Sequence, residues 1–333
     1  MSSSDQITKQ ELADIISPVK SKFPGLKVRL FTEGSNLDQK LFSEGGCTFQ
    51  YNNIKYGSCD AVIEYKDIII GIEMTDALNR GSSGSAQVQR FHHALGAVKN
   101  GYIGVYYLRK GNLKIQPVLY GMAHNATKYE KGSYLITQNL DIIKDILNSY
   151  NSGKAKLEKF ISDQLSSYSI IFNKYFNDRF KNSWSNFAEK RSSIILDDCI
   201  IKYLSSNYKS FTDSSLRAGH ITLGEFFLGK YLFEDILTSK KTYYFLLPRL
   251  DNSDLVKLNQ VKENDKEWQL MQLNENSEIK KISDLTNLPN NLFNQMLSIK
   301  NSKMTNGSSE RKIYDRTVKK IVEWIKENKF NFT

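Results

Sequence analysis

The sequence predicts a mixed α/β (α+β) protein whose first half carries a sheet and whose second half is rich in helix. Three observations lead there. Residues 54–75 alternate apolar and polar around a two-residue turn at Lys66-Asp67, the pattern of a β-hairpin. Residues 86–99 carry Val88, Phe91, Leu95 and Val98 as one apolar helical stripe, and the apolar strand 102–108 follows directly. From about residue 139 to 240 the apolar spacing is mostly helical.

Taken in order, residues 5–23 place Ile7, Leu12, Ile15, Ile16 and Val19 at helical spacing, and Pro24-Gly25 closes that helix. Residues 27–31 alternate as a short strand, and 36–42 suit a turn or two of helix. Residues 47–51 are strand-like, and Asn52-Asn53 turns them back into Ile54. Strands at 54–65 and 68–75 follow, then a polar loop from Asp76 to Gly84. Ser85 is placed to cap helix 86–99, and Asn100-Gly101 to stop it. Gly111-Asn112 turns into an expected strand at 113–121. Ser152-Gly153 marks the expected boundary between a first domain, 1–150, and a helix-rich region, 151–333. Short strands are expected near 242–250 and 267–273, and three helices over 277–329. No internal repeat is visible in the sequence.

Composition narrows the class. The chain has 333 residues, 40% of them hydrophobic, which is enough for a sizeable core and excludes a disordered chain. No run of 18 apolar residues occurs, so no membrane span is expected. The start, MSSSDQITKQELADII, lacks the basic segment and apolar stretch of a secretory signal. Three cysteines, Cys47, Cys59 and Cys199, without a CxxC spacing argue against a disulfide framework and a zinc site and fit the cytoplasm. Lys and Arg number 46 against 36 acids, a net charge of +10 that attracts polyanions, nucleic acid first among them. The same surplus also serves solubility.

The hairpin carries the chemistry. With Lys66-Asp67 as the turn, Tyr65 pairs with Ile68, and stepping outward brings Asp60 opposite Glu73 on one face. Cross-strand neighbours have Cβ atoms roughly 5 Å apart, and like charges there repel. A bound cation removes that repulsion, and two hard carboxylates suit Mg²⁺. Ser58 and Thr75 cluster at the same end, while Cys59, Ala61, Ile63 and Tyr65 with Ile68, Ile70, Ile72 and Met74 form a core face. An amphipathic hairpin with a wet, acid-decorated side is the plainer alternative.

Asp60, the strand IIIGIEMT, a loop, the helix SAQVQRFHHALGAVKNG and the strand YIGVYYL together resemble the core of the PD-(D/E)xK nucleases, most of all the type II restriction endonucleases. The resemblance covers roughly residues 25–121 and rests on a short motif. It implies a restriction-endonuclease-like core, a central mixed sheet flanked by helices. It also implies Asp60 and Glu73 as metal ligands, with the carbonyl of Met74 as a third. Two positions depart from the pattern: Cys59 stands where a proline is usual, and Thr75 stands where the lysine that orients the attacking water is usual. Relatives that lack this lysine use another polar residue or a cation from the next helix. Here that points to Thr75 itself and to Gln87, Gln89, Arg90 or Arg80, with Gln87 preferred and Arg90 beside it. Glu64 lies further along the same face and ranks as a supporting group.

Other signals are weaker. His92-His93 are adjacent on a helix, point roughly 100° apart and do not share one ion easily. No GxxxxGK[ST] motif occurs. Gly81-Ser82-Ser83-Gly84 precedes a helix start, so Arg80, Ser82 and Ser83 are placed near a DNA backbone if the nuclease resemblance holds. Residues 278–300 read as a helix-turn-helix or a plain helical hairpin. In the first case Asn290, Asn291, Asn294 and Gln295 would face the major groove. The expectation is a Mg²⁺-dependent, sequence-specific endonuclease of double-stranded DNA, of the restriction type, acting as a homodimer. Two alternatives stand beside it: a catalytically silent nuclease-like DNA-binding protein, and an RNA endonuclease on the same core.

Overall fold

The computed structural model describes residues 3–30, 43–44, 47–51, 54–79, 85–196, 199–203, 224–233, 242–247, 268–272 and 280–281, with isolated helical positions at 312, 316, 320, 323 and 327. The chain is mixed α/β and divides into two compact units, Met1–Tyr175 and Phe176–Thr333. The division falls inside a long helix rather than at Ser152-Gly153. There, Gly153 (φ 122) makes the break between two helices.

The first unit runs α1 (Ser3–Lys22), β1 (Lys27–Leu30), β2 (Ser43–Glu44), β3 (Thr48–Tyr51), β4 (Ile54–Ser58), β5 (Ala61–Tyr65) and β6 (Ile68–Thr75). It continues with α2 (Ser85–Val88), α3 (Phe91–Lys99), β7 (Ile103–Leu108), α4 (Pro117–Tyr129), β8 (Ser133–Thr137), α5 (Ile142–Asn151) and α6 (Lys154–Phe180). Six strands form one sheet in the order β2-β1-β5-β6-β7-β8. β1, β5 and β6 pair antiparallel, and β6, β7 and β8 pair parallel. β3 and β4 form their own two-stranded ladder. The expected single strand 54–65 is therefore two strands in two sheets, interrupted at Cys59-Asp60.

Alternation along β6 separates the faces. Ile70, Ile72 and Met74 are buried on the side of α1, where Phe23 meets Tyr65 edge-on and Glu11 accepts from the Tyr107 hydroxyl. Gly71 and Glu73 lie on the side of α3. Gly71, Glu73 and Thr75 are buried and Asp60 is half-buried, so the plainer alternative of a wet, acid-decorated side does not hold at the open end. Each fully buried Ile or Leu contributes roughly 1.5–3 kcal/mol. The edge strand β8 is closed by Tyr168 of α6. Its hydroxyl donates to the Ile136 carbonyl and accepts from the Ile136 N–H, both at 2.8 Å, which blocks further strand pairing.

Two expectations are corrected and one is refined. Residues 113–121 are not a strand: Pro117 opens α4, and Val118, Leu119, Met122, Ala123 and Ala126 are its buried stripe. Proline lacks an N–H and has a helix-compatible φ, so it suits a first helical turn. The described residues of 139–240 are mostly helical, as expected, but two short strands interrupt them. After α6 and α7 (Trp184–Lys190) come β9 (Ser193–Ile195) and β10 (Cys199–Tyr203), followed by helix α8 (224–233). Short apolar runs do not distinguish strand from helix, so these two strands do not stand out in the spacing. The second unit holds a five-stranded sheet, β13-β12-β11-β10-β9, with β11 (Thr242–Leu247), β12 (Trp268–Gln272) and β13 (Lys280–Lys281). β11 and β12 bear out the strands expected there. β13 is a strand where the helix-turn-helix was expected to begin, and the rest of that motif lies outside the described residues.

Candidate active site

The β5–β6 register is the one the turn dictates. Tyr65 faces Ile68, Ala61 faces Ile72, and Lys66 takes a φ of 54. Asp60 immediately precedes β5, and Glu73 is the next step on β6, so the ladder delivers both acids to one end. Asp60 Oδ2 accepts from the Met74 N–H at 2.7 Å. The N–H and C=O of one strand residue leave on the same flank, so the Met74 carbonyl also faces Asp60.

Glu73 is fully buried, at 0% exposure. Its Oε1 accepts from Arg90 Nη1 at 3.2 Å, and its Oε2 lies 3.0 Å from His93 Nδ1. A buried carboxylate is tolerated when donors hold it, and here each oxygen has one. Arg90 and His93 are three residues apart and share a helix face. The helix expected over 86–99 breaks at Gln89-Arg90, which makes Arg90 the N-cap of α3.

Two glycines bring α3 this close. Gly71 of β6 and Gly104 of β7 are register partners. A Cβ on Gly104 would meet the Ala94 carbonyl oxygen at 2.6 Å, and one on Gly71 would meet Ala97 at 3.0 Å. The helix rests on a bare patch of sheet two residues before Glu73. Beside it, Tyr106, the register partner of Glu73, donates its hydroxyl to the Gln87 carbonyl at 2.8 Å.

The charges are strongly coupled. Burial first, and the Glu73 carboxylate second, push the Asp60 carboxyl up to about 8. The Met74 N–H, Arg90 and His93 partly offset them. Burial, then Glu73 and Asp60, also push the Cys59 thiol up. A cation between the acids would reverse the push on Asp60.

The sequence-named residues fare differently. Asp60, Glu73 and Met74 come together as expected. Thr75 is buried next to them, and its carbonyl accepts from the Arg109 N–H at 2.9 Å. Gln87 is not on a solvated face and does not reach the acids. At 2% exposure, its amide donates to the Lys114 carbonyl and accepts from the Gln116 N–H, which pins the segment ahead of α4. Arg90, offered by the sequence both as a cation from the next helix and as a DNA contact, reaches Glu73. Glu64 pairs with Arg29 and supports no acid at the site. Arg80, Ser82, Ser83, Asn290, Asn291, Asn294 and Gln295 lie outside the described residues. His93 is the contact the sequence reading missed. Weighing it as half of a His92-His93 metal pair hid the Arg90–His93 spacing of three, which was the usable signal.

The donors fit Mg²⁺ by type. Two carboxylates and a carbonyl are hard oxygens, and Mg²⁺ is commonly held by one or two carboxylates plus water and substrate phosphate. Among the described residues no group of three or more His, Cys, Asp and Glu is placed to hold a metal ion, so a fuller protein cage is not offered there. No helix among the described residues is long and apolar enough to cross a membrane. The chain matches no protein-family model, no curated protein and no solved structure.

Proposed function

We propose that this chain is a Mg²⁺-dependent endonuclease that hydrolyses phosphodiester bonds of double-stranded DNA at a specific sequence, in the manner of the restriction enzymes. The observation that carries the reading is the meeting of Asp60 and Glu73 at the open end of the β5–β6 hairpin, with Arg90 reaching in from α3. The order α1, β1, β5, β6, α3, β7, with its antiparallel hairpin and parallel crossover, supports the restriction-endonuclease-like core that the sequence resembles. A net charge of +10 favours a polyanionic substrate.

Asp60, Glu73 and the Met74 carbonyl would hold the ion. Mg²⁺ supplies Lewis acidity there, lowering the pKa of water and offsetting charge that builds on a phosphate. Arg90 supplies the positive charge that Thr75 does not, and its 42% exposed side chain is open to a phosphate while touching Glu73. Burial of Glu73 and Tyr106 keeps the field between these groups strong. Cutting both strands calls for two such sites, which a homodimer provides.

The test incubates wild type and Asp60→Ala with plasmid and phage DNA, in Mg²⁺ or in EDTA. Discrete fragments from wild type in Mg²⁺ alone support the reading. Salt-sensitive retention of intact DNA by both proteins would replace it with a silent DNA-binding protein, and cleavage of RNA alone would move the substrate.

A further inference from the structure

We propose that His93 is a positioning residue for Glu73, fixing the carboxylate through Nδ1 in the orientation that receives the cation. The inference rests on the metal-dependent reading above and names a residue outside its ligand set.

Four observations carry it. A carboxylate only accepts hydrogen bonds, so in the 3.0 Å contact with ionised Glu73 the proton is on His93 Nδ1. Glu73 has a donor on each oxygen, and two donors fix the plane of a carboxylate where one leaves it free to rotate. The two donors differ in exposure. The Arg90 side chain is 42% exposed and can turn toward a phosphate, whereas that of His93 is 12% exposed. His93 is also tied to the acidic pair through its backbone. Its carbonyl accepts from the Cys59 thiol at 3.2 Å, and Cys59 adjoins Asp60. The Gly71–Gly104 patch sets the helix close enough for both links. The strand lysine that Thr75 replaces is thus divided into a fixed donor, His93, and an adaptable cation, Arg90.

The test measures Mn²⁺ binding to the full chain by calorimetry without DNA, together with the metal-free melting temperature. His93→Asn keeps an amide nitrogen near the position of Nδ1, and His93→Gln moves it toward that of Nε2. The expected result is that wild type binds and His93→Asn stays within about threefold. His93→Gln should weaken by about tenfold or more, the usual scale for a group that orients a ligand, with melting unchanged. Equal affinity in all three proteins overturns the role of His93 and leaves the metal site standing. Equal weakening in both variants, or weakening that tracks a fall in melting temperature, assigns His93 to packing. A wild type that binds no Mn²⁺ removes the metal reading, and the role of His93 with it.

Discussion

The two units share a strand plan and invert its charge. In the first, the antiparallel β5–β6 pair continues through α3 into parallel β7 and β8. In the second, antiparallel β9–β10 continues through α8 into parallel β11 and β12. Glu73 pairs with Tyr106, the fourth residue of β7, and Lys202 pairs with Phe245, the fourth residue of β11. Both charged residues are at 0% exposure, and both are met from the following helix. Arg90 and His93 meet Glu73, whereas Glu225 meets Lys202 at 2.8 Å, with the Arg191 carbonyl on the same ammonium at 2.9 Å. The difference lies in what is left over. Among the described residues, Lys202 meets one anion, Glu225. Around Glu73 there is a second carboxyl, Asp60, which burial first and the Glu73 carboxylate second push up to about 8, so the local donors do not fully support its ionised form. Lys202 and Glu225 form a structural ion pair, whereas Asp60 and Glu73 are two carboxyls to which the proposed cation would bind.

Function should divide accordingly. Glu73→Gln keeps the shape but removes the charge and is expected to lower Mg²⁺-dependent cleavage by roughly a thousandfold, the scale of losing a metal's electrostatic contribution. Lys202→Met, assayed below its melting temperature, should cleave like wild type. Loss of cleavage in that folded variant would break the comparison.

The next effect is on stability. Folded Asp60 keeps its proton up to about 8, whereas an unfolded aspartate loses it near 3.9. Between those values the folded chain binds one proton more than the unfolded chain. Stability therefore falls as pH rises, by about 1.4 kcal/mol per unit, and levels off above the folded value. Asp60→Asn should be stabilising without metal, with a gain near zero at pH 4 that grows toward pH 8. Urea titrations at pH 5 and 8 measure it, and a gain that does not change with pH would remove Asp60 as the strained group. A hundredfold excess of Mg²⁺ over Kd should narrow that gap at pH 8 by stabilising only wild type, by about 2.7 kcal/mol.

Lys202→Met tests the other side. It leaves Glu225 buried and unanswered and should cost about 3–5 kcal/mol, while adding Glu225→Leu should recover most of the loss. No recovery in thermal melts of the double variant would mean that Lys202 does more than neutralise Glu225.

The sequence announced the first site and not the second for physical reasons. A two-residue turn fixes hairpin register, so Lys66-Asp67 was enough to place Asp60 opposite Glu73. What neighbouring elements do to that register was not legible. The β4–β5 break depends on β3 taking β4 into a separate ladder. The burial of Gln87 depends on a backbone segment near residues 114–116, and the α2–α3 break that frees Arg90 carries no proline or glycine. In the second unit, β10 is a five-residue apolar run, CIIKY, in which a buried lysine looks like a surface one. Its partner Glu225 lies across an intervening segment that periodicity does not bridge.

The smallest expected effect tests why the two sites use different side chains. Counting back two residues from each charged position, the first unit has Gly71 beside Gly104, and the second has Ile200 beside Tyr243. A glutamate stem has two methylenes and needs the helix close, whereas a lysine stem has four. The glycine pair is then the condition for Glu73 to be held from α3. Gly104→Ala places a Cβ 2.6 Å from the Ala94 carbonyl oxygen and 2.8 Å from Val98 Cγ2, and backbone must move to admit it. The expected cost is about 1–3 kcal/mol of stability. Cleavage should fall by more than that loss of folded protein explains, because lifting α3 withdraws Arg90 and His93 together. If Gly104→Ala melts lower but its folded fraction cleaves at the wild-type rate, the closeness of α3 serves packing alone.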